Sequence, residues 1–447
     1  MSTTDRIYST LMNRNPEREA AMPAEARKHL PANGLRIISA NALQSSGDQM
    51  VNAATVLPWL FATLGVPAAL TGLLVPIRES GSMLPQAFLT PLVLRARYRK
   101  WVYITGAVIQ AVSVGSMALI AALAEGLAAG VGILIALTIF SLGRCLTSIA
   151  SKDVQGRTVP KGERGQINGL ATTAAGIVAI TLGLGIRFFG GAELSSSQLA
   201  WLLAAGAALW VGVALVYASI REPRPEPTDS PKDPPEQERD NTLSDMFLLL
   251  REDRPFRHFV IARSLLLVSS LSPPFVVTLS IQYGADSLAG LGGFIIASGL
   301  AALIGGRIFG PMADRSSKRL MTLGAGVASS VVILVVAVAA IPDFLQDGVV
   351  ANLVFIIVYL ALTLMHTGVR VGRKTYLVDM AEGDQRTTYV AVSNTVLGIV
   401  LLVVGGISSL LAMLHIFAAL LFLAGTGLIG VVVSSRLPEV SASSSPR

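Results

Sequence analysis

Long apolar blocks recur along the whole 447-residue chain, and no other feature restricts its possible folds so severely. About 20 mostly apolar residues carry a helix across a roughly 30 Å hydrocarbon core. In lipid the backbone must satisfy its own hydrogen bonds, so such blocks read as helices. They fall at 36–64, 66–93, 101–124, 127–150, 167–189, 198–220, 258–283, 286–312, 320–341, 350–374, 388–411 and 415–435. One such block could be a core helix of a soluble enzyme; a dozen in series could not. Apolar residues make up 52% of the chain and charged residues only 14%, too little charge to cover a soluble protein of this length. The expected fold is an all-α membrane protein with twelve transmembrane helices.

The net charge of +7 would suit nucleic acid if it formed one patch. Instead the basic residues follow the order of the spans, so no nucleic-acid partner is expected. Lysine and arginine occupy the segment before span one (Arg6, Arg14, Arg18, Arg27, Lys28). They recur in the second–third loop (Arg95, Arg97, Arg99, Lys100), the fourth–fifth loop (Lys152, Arg157, Lys161, Arg164) and the eighth–ninth loop (Arg315, Lys318, Arg319). The short loops near Glu125, Glu193, Asp286 and Asp343 have none. By the positive-inside rule both termini are expected in the cytoplasm, with the chain in the inner (plasma) membrane.

The division expected is a cytoplasmic N-terminal tail (1–35), a six-helix bundle (36–220), a cytoplasmic linker (221–257), a second six-helix bundle (258–435) and a cytoplasmic tail (436–447). The linker opens with REPRPEPTDSPKDPPEQERD, a proline- and charge-rich stretch that cannot bury a core. The following NTLSDMFLLLREDRPFRHF reads as a short interfacial helix. The first 35 residues lack the short apolar region and cleavage site of a signal peptide. Cys145 is the only cysteine, so no intramolecular disulfide can form. The four histidines are widely separated, and neither a metal site nor a cofactor is expected.

The halves repeat. A shift of 222 residues lays Lys152 on Lys374, Arg164 on Arg386, Gly176 on Gly398, Ile177 on Ile399, Val178 on Val400 and Gly183 on Gly405. Six helices repeated in the same orientation predict parallel, pseudo-symmetric bundles related by an axis along the membrane normal.

After span eight the chain reads GPMADRSSKR, Gly310 to Arg319. Glycine, three residues, Asp-Arg and a basic pair resemble the loop signature of the major facilitator superfamily, with Ser317 in place of the usual second glycine. The resemblance in topology covers nearly the whole chain. It implies a permease-type transporter in which Gly310, Asp314, Arg315, Lys318 and Arg319 form a gating motif. Independently, Gly310 permits a close helix contact or an unusual backbone angle. Asp314 can accept backbone hydrogen bonds at a helix start, and the basic residues are drawn to anionic headgroups. The second–third loop, LRARYRKW, lacks the family's acid. Span five, GLATTAAGIVAITLGLGIRFFGG, lacks the glycine-proline signature of many drug antiporters. The phrase LLVPIRESGSMLPQ in span two is similar to bacterial permeases of the superfamily and supplies no substrate.

Ionisable groups inside a membrane are costly and mark candidate sites. Span one carries Asn41, Gln44, Asp48 and Asn52 at spacings of three, four and four, which puts them on one helical face. Inter-helix hydrogen bonding is the plainer use of such a stripe. Span two carries the neighbours Arg78 and Glu79, whose side chains diverge by about 100° on a helix, so at least one needs a partner elsewhere. Depth along the two spans makes Asp48–Arg78 the expected pair. Arg144 and Arg263 are further cavity candidates, while Arg307 and Lys374 read as snorkelling to the interface. Ser269, Ser270, Ser272, Pro273 and Pro274 predict a break near the middle of span seven.

Together these features predict a monomeric secondary transporter. It would move a small-molecule substrate by alternating access, with protons as the coupling ion and Asp48 or Glu79 as carrier. No G-x-x-x-x-G-K-[ST] loop supplies nucleotide energy, and no H-E-x-x-H or Cys-His arrangement suggests an enzyme. The rival expectation is a transporter-like sensor or assembly protein that binds without transporting.

Overall fold

The computed structural model describes residues 3–12, 14, 16–20, 22–160, 164–189, 195–223, 248–283, 288–341, 348–380 and 385–440. Among these residues all regular structure is helical and follows the twelve apolar blocks. Eight spans are long and apolar enough to cross a membrane unaided. A ninth, span eight, is the pair Gly290–Gly305 and Arg307–Ala313, bent by 42°. Spans one and two are each interrupted. Span one is split into Ala24–Met50 and Val56–Thr63, and span two into Ala68–Met83 and Gln86–Arg95. Span five is one continuous helix, Arg164–Phe189.

The internal repeat is visible in the helices themselves. Span four is Gly126–Thr158 and span ten is Gly348–Met380, so the 222-residue shift superposes them end for end. In each half the third helix packs on the fourth and sixth, and the first on the sixth. The halves join most extensively where span two meets span eleven (Gln385–Leu414) and span five meets span eight, and span seven also packs on spans one and two.

The repeated glycines lie at those joints. A Cβ at Gly176 would stand 2.6 Å from the Leu303 side chain, and one at Gly183 would stand 2.7 Å from the Gly292 carbonyl oxygen. Their repeat partners behave alike against span two. A Cβ at Gly398 would meet Leu84 at 2.7 Å, and one at Gly405 would meet Pro76 at 2.1 Å. Glycine there lets helices approach to backbone contact, and Ser80 Oγ donates to the Gly398 carbonyl at 2.8 Å across the same joint. The contacts run from mid-span to the end opposite the termini. There Trp59 closes over Gly290 and, through Phe294, reaches Tyr359.

At the termini end, among the described residues, the polar links stay within one half. Asp153 pairs with Arg99 at 2.6 Å and Arg157 at 3.4 Å. Glu222 caps the start of span three (Arg99–Leu123), accepting the N–H groups of Arg99 and Lys100 at 3.2 and 3.1 Å. Burial pushes the Glu222 carboxyl above its ordinary range, against the pull of those N–H groups. In the second half, Lys318 Nζ donates to the Leu437 carbonyl at 2.9 Å and Tyr389 Oη to Asp253.

This asymmetry makes a prediction. Gly405→Val cannot keep the observed contact with Pro76, so it is expected to hold the halves apart at the far end. In a Cys145→Ala background, a cysteine placed at Ser409 should then react with a membrane-impermeant maleimide severalfold faster than in the parent. Equal labelling rates would contradict a close far-end contact.

Several expectations need correcting. Residues 1–35 are not a plain tail: Thr3–Leu11 is a helix whose Tyr8 is buried against Gly34, and the first helix of span one already starts at Ala24. Asn33 fastens this extension by pairing with both the carbonyl and the N–H of Arg221, at 2.7 and 3.0 Å. The break in span seven falls at Leu266–Leu267, between Arg254–Leu265 and Val268–Gln282, nearly two turns before the proline pair. Span seven also starts earlier than expected, because Asp253 caps it by accepting the Phe256 N–H at 2.9 Å. Spans eight and nine are separate helices that meet at Ser316, whose backbone is not helical. Most of the proline-rich linker (224–247), the loops holding Glu193, Asp286 and Asp343, and residues 441–447 lie outside the described residues.

Candidate functional site

A cavity of ≈ 230 Å³ opens between the halves, lined from spans one, two, seven, eight and ten. Two interrupted helices shape it. Span one leaves its helix at Val51, and the Asn52 side chain holds the turn, with Oδ1 accepting the Ala54 N–H at 2.8 Å and Nδ2 donating to Gln49 at 3.3 Å. Such a turn is what an asparagine side chain supports by mimicking backbone. Asn52 is therefore not on the helical face that Asn41, Gln44 and Asp48 share, because the helix ends at Met50; it lines the cavity from the break instead. In span seven, Pro273 and Pro274 lack the N–H groups that would bond the carbonyls of Ser269 and Ser270. Both serines line the cavity, and Ser269 Oγ has no hydrogen-bond partner among the described groups. The prolines thus leave acceptors open that a proline-free helix would occupy.

Asp48 is the hub of the first half. Arg144 Nη1 reaches both its carboxylate oxygens at 2.6 Å, and Arg78 Nη2 reaches Oδ1 at 3.2 Å. The expected Asp48–Arg78 pair is present, but Arg144 is the closer partner. The three side chains are 17%, 15% and 28% exposed in the order Asp48, Arg78, Arg144, so the cluster is shielded without being dry. Gln44 accepts a hydrogen bond from the Tyr103 hydroxyl at 2.6 Å, a helix-to-helix role. Asn41 is half-buried and does not line the cavity. Glu79 does line it, beside Arg78; among the described residues its carboxylate makes no ion pair. It lies within electrostatic reach of Arg144 and Arg373.

The opposite wall is span ten, where Tyr359, Thr363, His366 and Arg370 face the cavity. Their spacings of four, three and four form the same kind of polar stripe as in span one. That spacing is legible in the sequence. His366 stands at the 222-shift equivalent of Arg144, so the halves share a backbone plan but not a charge plan. Arg263 is buried behind this wall rather than lining the cavity; it donates to Ser393 Oγ and, at 2.8 Å, to Asn394 Oδ1. Lys374 is exposed, within electrostatic reach of Lys152, its repeat partner, and of Arg370. Arg307 is exposed, as a snorkelling residue would be.

The Gly310–Arg319 motif is only partly as expected. A Cβ at Gly310 would find nothing within 4 Å, and its backbone is not left-handed, so neither glycine argument applies to it. Arg315 and Arg319 are exposed, and Lys318 is tied to the C-terminal segment through Leu437. The Asp314 side chain lies outside what the structure describes, although its backbone is helical.

The sequence profile of the Major Facilitator Superfamily matches residues 37–369. The chain belongs to the major facilitator superfamily. No curated protein matches it in sequence. Solved structures of the superfamily chain's fold include a point mutant of the nucleoside transporter NupG, with TM-score 0.68 and 14% identity, covering 90% of this chain and 99% of that one. A D-xylose-proton symporter gives TM-score 0.67 and 12% identity, covering 91% and 98%. The inward-open xylose transporter XylE from E. coli gives 0.62 and 10%, covering 91% and 96%. At these identities the likeness is one of fold.

Proposed function

We propose that this superfamily chain carries a small solute across the cytoplasmic membrane by alternating access, coupled to protons through Glu79. The observation that carries the reading is the polar cavity between two halves, joined tightly only from mid-span to the far end. Helix breaks at the bilayer midplane are the usual way such folds expose backbone to a solute. The proton-symporter among its structural neighbours is consistent with the coupling. Asp48 already holds two arginines, whereas Glu79 faces the cavity without an ion pair among the described residues. Glu79 is therefore the group free to exchange a proton as the cavity changes sides.

Proteoliposomes loaded with a pool of labelled small metabolites test this. At least one component is expected to exchange by counterflow with its unlabelled form outside. Binding without exchange would instead identify a sensor. For orientation, a reporter fused after Arg447 is expected to behave as cytoplasmic, because the termini-end loops hold the lysines and arginines. Periplasmic activity of that fusion would overturn the topology.

Asp314 is proposed to bias the facing states. Asp314→Asn removes charge while keeping shape, and an interaction present in one state alone shifts the equilibrium between them when lost. The variant is expected to reach the membrane in normal amounts and to transport several times more slowly. Parental rates together with parental thiol accessibility at the termini end would exclude the gating role.

A further inference from the structure

The charges around the cavity do not balance. Arg78 and Arg370 line it, and Arg144, Arg373 and Arg263 stand close behind. Against these five arginines the described residues supply two carboxylates, Asp48 and Glu79, and Asp48 is already shared by Arg78 and Arg144. Among the described residues the second half supplies no carboxylate to the cavity: Arg370 and Arg373 are within electrostatic reach of one another and of the His366 imidazole, and Arg373 of Arg263. At the termini end Lys152 and Lys374, the pair matched by the repeat, extend the same sign outward. Gathering like charges in a membrane interior is unfavourable unless an anion joins them. A cavity walled by one sign of charge also concentrates ions of the opposite sign. The arginine fork matches carboxylate and phosphate oxygens, while uncharged sugars offer it no such partner.

We propose that the solute is a small organic anion, bearing a carboxylate or a phosphate, held at Arg370 of span ten. The neighbouring Ser269 hydroxyl and the proline-freed carbonyls of span seven suit hydroxyl groups on the same molecule. Arg78 keeps Asp48 in place on the facing wall, and Lys152 with Lys374 draws the anion in from the termini side. The assignment rests on the transporter reading for its purpose, but binding can be measured without transport.

The test uses the purified full chain in detergent at constant ionic strength. Thermal stabilisation is measured with lactate, succinate, inorganic phosphate and glycerol 3-phosphate, and with xylose, uridine and tetraethylammonium for comparison. Each is used at about 10 mM, ten times a weak millimolar dissociation constant. At least one of the four anions is expected to stabilise, and the three comparison solutes are not. Arg370→Gln should weaken that binding about ten-fold, the worth of one hydrogen bond to a charged group, and Arg370→Lys should restore part of it. Inorganic phosphate acting alone would mark phosphate chemistry, and lactate or succinate acting alone would mark carboxylate chemistry. A flat response to every anion overturns the proposal, as does anion binding that Arg370→Gln leaves unchanged. An anion that binds through Arg370 yet fails to exchange across proteoliposomes keeps the anion site and removes the transport reading. Exchange of xylose, uridine or tetraethylammonium unaffected by Arg370→Gln removes the anion assignment and keeps transport.

Discussion

Asp48→Asn is expected to be the most damaging single substitution in the membrane interior. It leaves Arg144 and Arg78, now paired to one carboxylate at 2.6 and 3.2 Å, facing each other without a counter-charge. Breaking a buried ion pair by removing one partner typically costs about 3–5 kcal/mol. The partners keep 15% and 28% of their side chains exposed, so the low end, about 3 kcal/mol, is the expected loss. Heat-induced aggregation in detergent should begin at clearly lower temperature, and transport should fall at least about ten-fold. The double variant Asp48→Asn with Arg144→Gln removes one of the stranded charges and should recover part of the stability. A double variant no more stable than Asp48→Asn alone would mean that the two residues are not energetically coupled.

Glu79→Gln should have the opposite character. No ion pair among the described residues depends on this carboxylate, so the protein should fold and melt like the parent. A glutamine cannot carry a proton, so accumulation driven by an imposed pH gradient should fall to the level of passive exchange. Counterflow without a gradient should persist, because exchange needs the cavity to alternate but not to discharge its proton. Accumulation equal to the parent's would remove Glu79 from the coupling. If Asp48→Asn protein that has folded also accumulates normally, both acids revert to structural roles.

The fold was legible because lipid makes demands that a sequence must display openly. Apolar blocks of the required length, basic loops on alternating sides and the 222-residue repeat each leave a mark at known positions. Even the matched glycines, Gly176 with Gly398 and Gly183 with Gly405, were visible before the joints that need them. Asp48 with Arg78 could be paired because depth along two helices is countable. Arg144 could not be ranked above Arg78, since rotation of span four about its axis decides which cation points at the acid. The end of the first helix at Met50 was equally hidden, because a polar stripe at spacing four continues in sequence whether or not the helix does. Span seven misled for a related reason. The bonds that Pro273 and Pro274 cannot make belong to the Ser269 and Ser270 carbonyls, yet the helix opens earlier, at Leu266–Leu267, and the prolines stay inside the next helix. Gly310 shows the limit of motif reading: the pattern matched, but no close contact explains its glycine.

Alternating access requires that the two ends of the molecule open in opposition, and one measurement reads that directly. Spin labels at Glu125 and His415 span the far end, and labels at Arg97 and Arg319 span the termini end; all four positions are exposed. Each pair is to be introduced in a Cys145→Ala background, and distances followed by electron–electron resonance across acidic and alkaline pH in lipid nanodiscs. Two distance populations are expected for each pair, with the far-end distance lengthening as the termini-end distance shortens. A single unchanging distance at both ends, or both ends opening together, would contradict it.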